Sequence, residues 1–134
     1  MNKLQSIVVL GSTGSIGTNS LDVIRSHPDR MRLVGATAFR NAALLEQQAK
    51  EFAPDWILLG DSASAAAINS GVLPSNTALH AGDEHLDRLI RSEGVDTVVS
   101  AVVGAAGLKS TWIAVDAGKR VALANKESLV VAGA

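Results

Sequence analysis

The 134-residue chain contains no cysteine and no tyrosine, and its aromatic side chains amount to two phenylalanines and two tryptophans. Without cysteine there is no disulfide framework and no thiolate metal site. With so few aromatics a core has to be built from Val, Leu, Ile and Ala, and apolar residues at 47% supply enough of them. An excess of one charge is also missing: the formal net charge is −1, and no basic block interrupts the sequence. That argues against nucleic acid or an anionic membrane as the main partner. No apolar run approaches the roughly 20 residues of a membrane-spanning helix. The opening residues, Met1-Asn2-Lys3-Leu4-Gln5, lack the apolar stretch of a signal peptide, so the expected setting is cytoplasmic. Proline is scarce, three residues against twelve glycines, which suits many tight strand-to-helix turns. The length fits one domain covering 1–134. The sequence stops at Val130-Val131-Ala132-Gly133-Ala134, directly after a polar motif, and is expected to be a piece of a longer protein.

The most informative stretch comes early. Ile7-Val8-Val9-Leu10 reads as a buried parallel strand, glycines follow at 11, 14 and 17, and helical periodicity begins behind them. Strand, glycine turn and helix in that order form the context of a dinucleotide-binding loop. Gly11 lets the chain turn sharply off the strand. Gly14, lacking a side chain, lets backbone N–H groups approach a pyrophosphate, and Gly17 lets the helix pack close to the sheet. The first helical turn aims unpaired N–H groups and a positive dipole end at phosphates. Thr13 and Ser15 add hydroxyls that can bond phosphate oxygens. The spacing is G-x-x-G-x-x-G rather than G-x-G-x-x-G, so the glycines alone equally describe a ligand-free turn. The flanking strand and helix favour a nucleotide.

Periodicity predicts a first helix over 15–26, stopped by Pro28, and a second strand over 32–38. A helix over 42–52 with Leu45, Ala49 and Phe52 inward leads through Pro54 to a strand over 56–59. An alanine-rich helix over 63–69, a short strand over 77–80 and a helix carrying Leu86, Leu89 and Ile90 follow. A buried strand over 97–101 leads to a helix over 108–117, with Leu108, Trp112 and Val115 on one face and Trp112 assigned to the core. The last strand covers 121–124. The expected fold is a Rossmann-like, doubly wound, mostly parallel α/β sheet with helices on both faces and the first strand central. His27, His80 and His85 show no metal-ligand spacing and read as surface or turn residues, and no metal site is expected in this stretch.

The end of the second strand selects the cofactor. NAD sites place an acid there for the ribose 2′-OH, whereas NADP sites leave room for the 2′-phosphate with an Arg nearby. This chain reads Ala36-Thr37-Ala38-Phe39-Arg40-Asn41, with no acid. Arg40 offers a planar guanidinium suited to phosphate, and Asn41 can cap the next helix while still donating a side-chain N–H. Farther on, Val103-Gly104-Ala105-Ala106-Gly107 has two readings: close approach of backbone to the nicotinamide half, or a tight turn into the next helix. Asn125, Lys126 and Glu127 follow the last buried strand, where ligands bind in open parallel sheets. Lys126 is suited to a phosphate or hydroxyl, while Asn125 and Glu127 are equally suited to capping a helix.

Taken together, Leu10 to Gly17, Arg40-Asn41, Val103 to Gly107 and Leu123-Ala124-Asn125-Lys126-Glu127-Ser128-Leu129-Val130 resemble 1-deoxy-D-xylulose 5-phosphate reductoisomerase across essentially the whole chain. That family rearranges and reduces 1-deoxy-D-xylulose 5-phosphate to 2-C-methyl-D-erythritol 4-phosphate, the first committed step of non-mevalonate isoprenoid synthesis, with NADPH and a divalent metal, Mg or Mn. The resemblance implies that Thr13, Gly14, Ser15 and Ile16 contact the NADPH phosphates. It further implies that Arg40 and Asn41 hold the 2′-phosphate end, that Asn125 and Glu127 line the NADPH site, and that Lys126 touches substrate. It also implies a homodimeric full-length enzyme.

Phe39 departs from the family pattern, in which many members carry glycine. Its ring either stacks on the adenine or reshapes the loop. The family's acidic metal motif and flexible lid belong to later sequence, so no catalytic residue is expected within 1–134 and the chain should bind cofactor without turning over substrate. Two other classes share the nucleotide fold: another NADP-dependent dehydrogenase of the homoserine-dehydrogenase kind, and a non-catalytic module that senses NADP.

Overall fold

The computed structural model describes residues 4–102, 105–124 and 129–132. The chain runs β1 (Gln5–Leu10), α1 (Ser15–Ser26), β2 (Met31–Ala38), α2 (Ala42–Phe52), β3 (Trp56–Leu59), α3 (Ser62–Ala65), β4 (Ala78–Ala81), α4 (Leu86–Arg91), β5 (Thr97–Ser100), α5 (Ala105–Asp116), β6 (Arg120–Ala124) and β7 (Leu129–Ala132). Single 3-10 turns occupy Ser70–Val72 and Asp83–His85. The seven strands form one sheet in the order β4-β3-β2-β1-β5-β6-β7. Strands β1 to β6 are parallel, and β7 returns antiparallel along β6.

This is the doubly wound α/β architecture expected, with β1 in the middle. From β1 the chain winds outward through β2 and β3 to β4, then crosses back to β5 on the other side of β1. Right-handed crossovers therefore put the two windings on opposite faces of the sheet. One apolar layer joins Ile7, Val9 and Leu33 to Leu21 and Ile24 of α1 and Leu45 and Ala49 of α2. The other joins Val8, Leu10 and Val98 to Leu89 and Ile90 of α4 and Ile113 and Ala114 of α5. Alternate residues of β1 thus enter different layers, as the two-residue period of a strand requires. Because the order reverses between β1 and β5, a crevice opens beyond their carboxyl ends, and the glycine turn stands there.

Several expectations change. Trp112 is not in the core: Leu108, Trp112 and Val115 do share a face of α5, but it is the exposed one, with Trp112 62% accessible. Ile113 and Ala114 pack on the sheet instead. The alanine-rich helix shrinks to α3: past Ala65 the N–H groups of Ala67 and Ile68 donate three residues back, to the Ser64 and Ala65 carbonyls at 3.1 Å each, so the α-helical ladder is not continued. His80 lies in β4, half-buried, with its ring centroid 5.3 Å from that of His85. Strand β7 was not anticipated as a separate element. Among the described residues no helix is long and apolar enough to cross a membrane.

Candidate functional site

The glycine turn is built by its own sterics. Gly11 adopts φ +78°, a left-handed conformation that side-chain-bearing residues rarely take. A β-carbon on Gly17 would stand 2.0 Å from the Gly11 carbonyl oxygen and 2.7 Å from the Ser12 α-carbon, so only glycine lets α1 start this close to the turn. Gly14 differs. Its φ of −78° and ψ of 170° suit any residue, and the nearest atom to an added β-carbon is 3.7 Å away. Sterics do not require glycine at 14, and the residue is exposed. Gly14 is also the N-cap of α1, and no side chain caps that helix. The first intrahelical bond runs from the Thr18 N–H to the Gly14 carbonyl at 2.8 Å. The amides of Ser15, Ile16 and Gly17 are therefore left at the open end of the helix, without an acid in the first turn. Thr13 is half-buried, Gly14 and Ser15 are exposed, and Ile16 is half-buried.

The turn is tied to the end of β2. The Gly11 N–H donates to Thr37 Oγ1 at 3.0 Å, and the Ser12 N–H donates to the Thr37 carbonyl at 2.8 Å. Two and three residues beyond Thr37 come Phe39 and Arg40. The Arg40 side chain is 74% exposed and its Nε lies 3.7 Å from Asp61 Oδ2. Asn41 caps α2, its Oδ1 accepting from the Leu44 N–H at 3.2 Å.

A cavity of about 430 Å³ opens beyond the carboxyl ends of β1, β2 and β3. Of the residues named from sequence, Gly11 and Phe39 line it. Sequence reasoning missed Thr37, Ala38, Gly60, Lys109 and Ser110 in its wall. The first three could have been found as strand-end positions of the sheet's carboxyl edge. Asp83, Glu84 and Asp87 stand on the wall formed by the 3-10 turn and α4. Next to them, burial and then the positive charges of His85 and Arg88 hold His80 below the ordinary histidine value. Among the described residues no group of three His, Asp or Glu side chains could hold a metal ion. Nothing in them fits the divalent metal that the resemblance implies.

Gly104, Asn125, Lys126 and Glu127 lie outside the described residues. What is described beside them is the carboxyl end of β6 on the same edge as that of β1. At Gly107 a β-carbon would stand 2.1 Å from the Val102 carbonyl oxygen, so glycine there is needed for the turn into α5.

Comparisons with known proteins agree with this architecture. A family model described as 1-deoxy-D-xylulose 5-phosphate reductoisomerase matches residues 7–133. The enzyme of that name from Pelodictyon phaeoclathratiforme is 45% identical over 130 residues, covering 97% of this chain and 34% of that protein. The one from Burkholderia multivorans is 46% identical over 130 residues, covering 96% and 33%. The chain thus spans about a third of the length of these curated relatives. A crystal structure of DOX-P reductoisomerase in complex with NADPH, fosmidomycin and magnesium superposes with a TM-score of 0.80 at 44% identity, covering 93% of this chain and 31% of that one. The Zymomonas mobilis reductoisomerase in complex with NADPH gives a TM-score of 0.82 at 36% identity, covering 94% and 33%. With its glycine turn at the sheet's switch point and a family match running from strand β1 past strand β7, this chain belongs to the 1-deoxy-D-xylulose 5-phosphate reductoisomerase family.

Proposed function

We propose that this chain is the NADPH-binding domain of a reductoisomerase that converts 1-deoxy-D-xylulose 5-phosphate to 2-C-methyl-D-erythritol 4-phosphate. The observation that carries the reading is Gly14. It is an exposed glycine that sterics do not require, at the start of α1 where no side chain caps the helix, at the switch point of the sheet. Glycine is also a favoured N-cap, and at this exposed cap it leaves the backbone open to a ligand that lies against it. The groups present fit a dinucleotide phosphate. The α1 amides and the hydroxyls of Thr13 and Ser15 would hold the pyrophosphate. Arg40 and the Asn41 side-chain amide would hold the 2′-phosphate, with Phe39 forming the wall of the adenosine end.

Bound NADPH would supply a hydride. The work of this chain is to fix the cofactor at the carboxyl edge of the sheet and to leave its reduced ring facing the substrate. Asn125 and Glu127, with Gly104, are assigned to the nicotinamide half, and Lys126 to the substrate. Full-length enzymes of the family would add a divalent metal, dimerise and work in the cytoplasm.

Titration calorimetry on the 134-residue chain tests the binding reading, with NADPH expected to bind more tightly than NADH. NADPH oxidation with 1-deoxy-D-xylulose 5-phosphate and Mg or Mn should stay at background. Substrate-dependent turnover by the purified chain would place the catalytic groups within 1–134 and end this division of labour.

A further inference from the structure

Helix α2 carries a polar side chain where an apolar one is expected. Gln48 stands on its inward face beside Leu45 and Ala49, which are both fully buried, and Gln48 itself is 6% exposed. An amide in such a place is unfavourable unless both ends are bonded. Both are, and to one residue. Gln48 Oε1 accepts from the Ser12 hydroxyl at 2.7 Å, and Gln48 Nε2 donates to the Ser12 carbonyl at 2.9 Å. Ser12 is completely buried, and its own N–H is held by the Thr37 carbonyl at 2.8 Å. Every polar group of Ser12 is therefore fixed by β2 or α2.

We propose that Gln48 is a positioning residue for cofactor binding, acting through Ser12 on the phosphate loop. The reason is the planarity of the peptide group. The carbonyl of Ser12 and the N–H of Thr13 belong to one rigid trans unit and point in opposite directions. Tethering the carbonyl inward, to α2, turns the Thr13 N–H outward, to the side on which the loop is open. The same helix starts at the Asn41 cap, next to Arg40. One rigid element thus sets the spacing between the groups for the pyrophosphate and the groups for the 2′-phosphate.

The inference rests on the cofactor reading above, and the test separates the two. NADP+ spans both ends of the site, whereas adenosine 2′-phosphate reaches only the Arg40 end. Calorimetry is run with both ligands on the unsubstituted chain, Gln48→Leu and Gln48→Glu, at a temperature where thermal melts show each protein folded. Gln48→Leu should weaken NADP+ by about tenfold, the scale of a lost buried hydrogen-bond pair, and change adenosine 2′-phosphate by less than about twofold. A protonated glutamic acid presents the same donor and acceptor as glutamine, and burial raises its pKa. Relative to the unsubstituted chain at each pH, Gln48→Glu should therefore regain NADP+ affinity between about pH 8 and pH 5.5. If Gln48→Leu does not fold, Gln48→Glu carries the test, its affinity at each pH referred to that of the unsubstituted chain. Equal losses for the two ligands, an unchanged NADP+ affinity in Gln48→Leu, or no recovery in acid would reduce Gln48 to a packing residue and overturn the proposal. Absence of NADP+ binding by the unsubstituted chain would overturn it together with the cofactor reading.

Discussion

The guanidinium carbon of Arg40 lies 5.1 Å from the centroid of the Phe39 ring, so two consecutive side chains after β2 form one stacked unit. Both are largely exposed, the Phe39 residue at 60% and the Arg40 side chain at 74%. A cation resting on an aromatic face directs its in-plane N–H donors away from the ring, and those are the groups that grip a phosphate. The stack gives a physical account of a bulky residue at 39. The ring supports Arg40 in addition to walling the cavity.

Arg40→Ala should therefore weaken NADPH by about 1.5–3 kcal/mol, the scale of a charge-assisted hydrogen bond, and leave NADH nearly unchanged. Calorimetry with both cofactors measures the difference. Equal losses for the two would remove Arg40 from the reading of the 2′-phosphate.

Gly14 and Gly17 should respond in opposite ways to the same substitution. Gly17→Ala drives a methyl into the backbone of Gly11 and Ser12 and should destabilise the fold by about 1–3 kcal/mol, or more if the turn cannot move. Gly14→Ala meets no atom closer than 3.7 Å and should stay within about 0.5 kcal/mol in a urea titration. Its NADPH affinity should nevertheless fall by about tenfold, because the methyl occupies the approach to the backbone. A Gly14→Ala protein with full affinity would mean that no ligand lies against that backbone.

The parts of the fold legible in the sequence are those with strong punctuation. Pro28 after α1, the Asn41 cap before α2 and Pro54 before β3 bracket their elements, and the observed bounds of α1, α2 and β3 coincide with the expected ones. The glycine loop was legible because its spacing follows an apolar run and precedes a helix. Helix α5 was misread for a physical reason. Leu108, Trp112 and Val115 on one face are matched by Ile113 and Ala114 on the other, and periodicity alone cannot say which face meets the sheet. The Gln48–Ser12 pair was invisible because its partners are 36 residues apart and joined only by the fold. The roles expected for Asn125, Lys126 and Glu127 fall outside the described residues.

The two tryptophans give a direct check on that correction. Trp56 is 5% exposed in the layer beneath α4, and Trp112 is 62% exposed on α5. Iodide should quench one emitting population and spare the other. Trp112→Phe should leave a blue-shifted emission that iodide barely affects, with stability changed by no more than about 0.5 kcal/mol, as for an exposed site. A Trp112→Phe protein that remains as quenchable as the original, or that is strongly destabilised, would return Trp112 to the core.

The pair His80 and His85 makes stability depend on mild acid. His80 in the folded chain is held below its ordinary value of 6.5, first by burial and then by the positive charges of His85 and Arg88. In the window between the folded value and 6.5 the unfolded chain binds more protons than the folded one, so stability rises with pH. The contribution is complete above 6.5 and is lost as pH falls from there through the folded value. Glu51 works in a lower window: its hydrogen bond from Arg25 lowers its pKa from 4.5, so its contribution is kept until the solution becomes more acidic than that. His80 therefore contributes a rise of urea-measured stability with pH just below its ordinary value. His80→Gln should flatten that slope while leaving the loss below about pH 4.5 in place. His85→Gln should flatten it partly, because burial, the larger cause, remains. An unchanged slope in His80→Gln would show that another group titrates in that window and that the two rings are not coupled to folding.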